Sequence, residues 1–163
     1  MTAAVVAFAF GVPNTLRSNR RIADIASKTA KSLGAAVYTQ RDVIPIEPGI
    51  AIELTDEDYP KRVPTLRIAR GAVKWAAKRG CDELWVCAAR PHVARCLRDL
   101  RYAVREANAD IALKLCEGIG QHPIDFWFCR ESAQLDTRIR MIWRVRDAIL
   151  TNMPMRFYVR IAS

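Results

Sequence analysis

The two histidines of the chain, His92 and His122, each fall just after an apolar run, and His92 stands three residues before Arg95. In a first helical turn that spacing places an imidazole and a guanidinium on one face, where free backbone N–H groups already favour an anion. The chemistry such a pair can do is binding of a phosphate or carboxylate, with the imidazole donating or shuttling a proton. An imidazole at either place can equally cap a helix or stay solvated. Glu53 opens an acidic cluster with Asp56, Glu57 and Asp58. In a long loop this reads as a solvated surface, with a general base or a divalent-cation site as the other use.

Other chemistries lack their signatures. No Gly-x-Gly-x-x-Gly, Walker loop, Gly-x-Ser-x-Gly or His-Glu-x-x-His occurs, so a dinucleotide, ATPase, serine-hydrolase or zincin reading has no motif behind it, and no cofactor is named. The five cysteines form no Cys-x-x-Cys pair; they read as reduced, buried thiols, and no metal site is expected. With 26 Lys and Arg against 17 Asp and Glu, the net charge of +9 favours anionic partners. Nucleic acid, nucleotide phosphates, phosphorylated metabolites and an anionic membrane surface all fit, as does a merely solubilising surface.

The elements that would position these residues are legible from periodicity. Ala3 to Phe10 is continuously apolar and ends at Gly11 and Pro13, as in a parallel strand covered on both faces. A helix follows from Ser18 or Asn19 to Gly34, then a short strand from Ala35 to Thr39. Residues 43 to 62, with Pro45, Pro48, Gly49 and Pro60, predict a long loop carrying a short strand at Ile50 to Leu54. Pro64 opens a helix that Gly80 closes; Glu83 to Ala89 is a buried strand; Val93, Leu97, Leu100, Val104 and Ala107 mark the cleanest helix. Ile111 to Cys116 supplies another strand. Phe126 to Cys129 reads as an edge strand, Leu135 to Leu150 as one long amphipathic helix, and Arg156 to Ile161 as a last strand. Asp136 is expected to pair with Arg140, and Asp147 with Arg144, making that helix a salt-bridged surface.

Strand and helix alternate without a repeat or linker, which predicts one α/β domain over residues 1–163: a three-layer α/β/α sandwich with a mostly parallel, Rossmann-like sheet. No stretch approaches twenty apolar residues and the apolar start lacks a basic leader, so no membrane span and a cytoplasmic setting are expected. In such sheets ligands bind beyond the carboxyl ends of the strands, where strand order reverses. That rule selects Gly11 to Arg17, with Asn14; Gln40 to Asp42, with Arg41; Arg90 to Arg95; and Glu117 to His122.

Several residues resemble the YdcF/SanA family, a group named as a domain of unknown function. Trp85-Val-Cys-Ala-Ala-Arg-Pro-His-Val-Ala-Arg95 is similar to the family's buried strand, small-residue turn, then His, two residues and Arg at the next helix. Glu53 and Thr65 resemble the family's Glu and the Ser/Thr that opens the preceding helix; Arg20 or Arg21, or Arg17 in its place, resembles its first-helix Arg. The family's glycines after the first strand are replaced by Gly11-Val12-Pro13, its Ser-Gly-Gly turn by Thr39-Gln40-Arg41-Asp42, and the Asn residues beside Thr65 are missing.

Together these features predict a protein that binds, and can turn over, a small anionic ligand such as a nucleotide or phosphorylated metabolite at the strand ends. His92 would move a proton, Arg95 with Arg17 or Arg41 would neutralise charge, Asn14, Thr65 and His122 would contact the ligand, and Glu53 would serve as base or metal ligand. The alternative is a non-catalytic interaction protein whose basic surface meets nucleic acid or a protein. An oligomerising scaffold, resting on Phe126 to Phe128 and Phe157 to Val159, is a third reading.

Overall fold

A computed structural model describes residues 2–44, 46–55 and 63–162. Five strands, β1 (Ala3–Ala7), β2 (Ala36–Thr39), β3 (Ile52–Leu54), β4 (Glu83–Cys87) and β5 (Ala112–Leu115), form one sheet. Its order is β3-β2-β1-β4-β5 and every pairing is parallel. The expected α/β architecture with a Rossmann-like parallel sheet is therefore what the chain adopts.

The apolar run at the start explains the centre of the sheet. Alternate residues of β1 serve opposite cores: Val5 and Ala7 pack with Val37 and Cys87 under α1 (Arg17–Leu33), while Ala4 and Val6 pack with Leu84 and Val86 under α2 (Thr65–Lys78) and α3 (Val93–Glu106). A strand that is apolar at every position can only sit between two such layers. The α1 and α2 helices end as the glycines predict, with Gly34 and Gly80 at positive φ.

The start of α1 is built differently from the expected Ser18 or Asn19 cap. The helix begins at Arg17 behind Leu16, without a side-chain cap. Both polar residues turn back on the preceding loop: Ser18 Oγ donates to the Phe10 carbonyl at 3.0 Å, and Asn19 accepts from Phe10 N–H at 2.8 Å while donating to Gly11 and Pro13 carbonyls. The turn after β1 is thus pinned by buried side chains of the helix it feeds.

The chain beyond β5 departs most from expectation. Phe126 to Cys129 is no strand; Ile124–Trp127 is a 3-10 turn. The expected long helix breaks at Ile139, whose backbone is extended, into α4 (Leu135–Arg138) and α5 (Arg140–Asn152). Arg156 to Ile161 lies within a helix, α6 (Met155–Ala162), because Tyr158 and Ala162 recur at helical spacing against Leu66 of α2. The break also re-routes the ion pairs: Asp136 pairs with Arg146, Asp147 with Arg95 at 3.3 Å, and Arg140 with Asp125 at 2.9 Å. Among the described residues, no helix is long and apolar enough to cross a membrane.

Candidate functional site

The crevice over the ends of β1 and β4 is where strand order reverses, yet the chain's own C-terminal part fills it. Trp143 of α5 lies edge-on to Phe10 (ring centroids 4.6 Å apart) and to His92 (5.2 Å), and its indole N–H donates to the Pro91 carbonyl at 3.3 Å. Beside it, Gly11 has φ +88°, and a Cβ there would collide with Ser132, Thr137 and Leu16 side chains. Ala133 N–H closes the contact on the Val12 carbonyl at 2.9 Å.

His92 and Arg95 do meet as their spacing predicts. His92 occupies the N-cap position of α3, and the Arg95 guanidinium lies 3.2 Å from its Nδ1. A guanidinium can only donate, so Nδ1 accepts and the neutral tautomer carries its proton on Nε2. Both side chains are buried, His92 among Phe8, Phe10 and Trp143 rather than at an open rim. Arg95 lies over the Trp143 ring at 4.9 Å and is ion-paired with Asp147. Burial pushes the Asp147 carboxyl above the usual carboxylate range, opposed by the nearby Arg95 charge.

Arg95 and Thr65 come together at a cavity of about 250 Å³, enclosed with Pro64, Arg146, Leu150 and Tyr158. Its floor is the amino end of α2, where Pro64 supplies no side-chain cap and the first turn holds no acid. Below it Asp99, fully buried, accepts from Tyr158 Oη at 2.6 Å and from Arg98 at 3.0 Å. Burial raises the Asp99 carboxyl, and burial together with the Asp99 contact raises the Tyr158 phenol. Arg146, Tyr158 and Asp99 are not among the residues that sequence reasoning selects; Asp99 lies one turn beyond Arg95 on α3, and the fold-back of α5 and α6 brings Arg146 and Tyr158 to it.

The remaining candidates are scattered. Asn14 is exposed in the turn before α1, Arg41 in the 3-10 turn after β2, and Glu53 on edge strand β3. Asp56 to Asp58 lie outside the described residues. Arg17 donates to the Phe126 carbonyl at 2.8 Å and covers the Phe126 ring, on which His122 stacks at 4.0 Å. That assembly braces the C-terminal segment and stands apart from Arg95. A larger groove of about 370 Å³ runs between α1 and Trp85, where Arg21 and Lys28 share the Asp24 carboxylate and Glu117 adds a second acid to the lining.

All five cysteines are buried and free. Burial pushes the Cys87 and Cys96 thiols well above their ordinary range, which disfavours the reactive thiolate. Among the described residues, no three metal-ligating side chains gather. Fold and site define a parallel, Rossmann-like α/β protein whose strand-end crevice is closed by its own C-terminal helices. The chain matches no known protein-family model and no curated protein.

Proposed function

We propose that the chain binds a small anionic ligand, a phosphorylated metabolite or the phosphate end of a nucleotide, in the cavity shared by Thr65 and Arg95. The observation that carries this is the convergence of a buried guanidinium on an uncapped helix amino end. Helical N–H groups and a guanidinium both prefer an anion, and a phosphate accepts from both at once. The volume lies just below the usual range of ligand pockets, which favours a compact ligand over a dinucleotide.

In this reading Arg95 meets the ligand and Arg146 borders it, while His92 acts through Arg95 as a positioning residue. Asp147 and His92 hold the guanidinium from behind, so its direction is set before a ligand arrives. The imidazole is not on the cavity wall, so it orients the guanidinium and does not itself meet the ligand. The likeness to the YdcF/SanA family supports the same pair, because Thr65 and Arg95 are both residues that it carries over.

A thermal-shift series with inorganic phosphate, sugar phosphates and nucleoside monophosphates tests this. A ligand at a hundredfold its Kd stabilises the fold by about 2.7 kcal/mol. For a domain of this size that raises Tm by about 5–11 °C. Thr65→Val, at a half-buried position, should keep the fold and reduce the shift; Arg95→Met should abolish it. No shift with any of these anions, or a shift indifferent to both substitutions, would remove the proposal.

A further inference from the structure

Helix α5 is apolar on two sides. Trp143 and Leu150 face inward, but Met141, Val145 and Ile149, at i, i+4 and i+8, form an outer row, flanked by Ile142. Met141 is 73% exposed, and Val145 and Ile149 are each 59% exposed. Ile139 and these four line a surface hollow of about 520 Å³ without polar lining apart from Arg146. A solvent-facing helix in a monomer normally carries polar residues there.

The charges around this row are predominantly basic: Arg140 is paired with Asp125 and Arg146 with Asp136, while no ion pair offsets Arg144, Arg156 or Arg160 among the described residues. Between residues 140 and 162 the chain has five arginines and a single acid, Asp147, which is turned inward onto Arg95. Arg144 stands exposed beside Val145, and α6 repeats the pattern, exposing Phe157 next to Arg156 and Ile161 next to Arg160. A second copy docking on the same row would bring Arg144 close to its own counterpart, with no acid of the row to offset it, so like charge opposes self-pairing. An apolar row edged by Arg144, with Arg156 and Arg160 on the next helix, instead matches a surface that is apolar within and negative outside.

We propose that the outer face of α5, with the exposed face of α6, docks on an anionic lipid surface. Met141, Val145, Ile149 and Phe157 enter the boundary between headgroups and acyl chains, and Arg144, Arg156 and Arg160 reach the phosphates, as in interfacial amphipathic helices. The helices lie on the membrane and do not cross it.

Co-sedimentation with vesicles tests this, comparing phosphatidylcholine alone with phosphatidylcholine containing about 30 mol % phosphatidylglycerol. The whole chain should pellet with the anionic vesicles and stay in solution with the neutral ones, and salt should weaken binding. Val145→Asp/Ile149→Asp, at exposed positions, should keep the wild-type Tm and weaken binding at least about tenfold. Arg144→Glu should also weaken it, which a purely apolar contact would not require. Equal binding to both vesicle types, no binding to either, or an unaffected double variant would overturn the proposal. So would a dimer of the wild type that the double variant dissolves, or tighter capture of the row by an acidic amphipathic peptide than by vesicles.

Discussion

Arg95→Met separates the electrostatic role of this side chain from its bulk. The change keeps much of the apolar stem over Trp143 but removes the charge facing Asp147 at 3.3 Å and the donor to His92 at 3.2 Å. At an effective dielectric constant of 20 the bare attraction over 3.3 Å is about 5 kcal/mol, an upper bound on what the pair returns. The Asp147 side chain keeps 20% of its exposure, so water offsets part of the loss. Removing one partner of a buried pair costs about 3–5 kcal/mol, and the lower end is expected here. Chemical denaturation of Arg95→Met, Asp147→Leu and the double variant measures it. The double variant should recover most of the loss, because replacing both charges by apolar groups is often near neutral. The sign with pH is also fixed: burial raises the Asp147 carboxyl above its unfolded value, so its favourable contribution is complete below the unfolded pKa and fades as pH rises through the folded one. Without Arg95 that rise grows, so the defect should be smaller at acidic than at neutral pH. A loss below about 1 kcal/mol, or strictly additive single effects, would show that Arg95 and Asp147 are not coupled.

Two further outcomes follow from the same region and from the core. Tyr158→Phe removes the donor to fully buried Asp99 and should cost about 1–3 kcal/mol, measured by urea denaturation, with a deficit that narrows on acidification as Asp99 takes up its own proton. Gly71→Ala, which on an exposed helix would add about 1 kcal/mol of stability, should instead lower Tm, because the new methyl overlaps the Tyr38 hydroxyl. A raised Tm would show that Tyr38 can move aside.

The sequence carried the sheet because its signals are local. Ala3 to Ala7 and Glu83 to Cys87 are strands wherever they occur between two helical layers, and the glycine stops of α1 and α2 need no long-range partner. The meeting of His92 with Arg95 was equally local, since three residues of one helical turn set it. What failed was of another kind. Phe126 to Cys129 and Arg156 to Ile161 are short apolar runs, in which strand and helix periods cannot be told apart; the choice fell to what each run packs against. Arg17 and His122 lie in the strand-end segments where a ligand is expected, but in the fold both pack on the Phe126 ring.

By itself, then, the order of residues determined a parallel α/β sheet and an imidazole–guanidinium pair at the tip of α3. Only tertiary structure decided that α5 would lay Trp143 over His92, that Asp147 would sit behind Arg95, and that a cavity would remain beside Thr65. The physical reason is range: periodicity and capping act within a few residues, whereas the closure joins segments 52 and 59 residues apart, Pro91 to Trp143 and Asp99 to Tyr158. Nothing in either segment alone specifies its partner; the buried area and the charges they compensate together do.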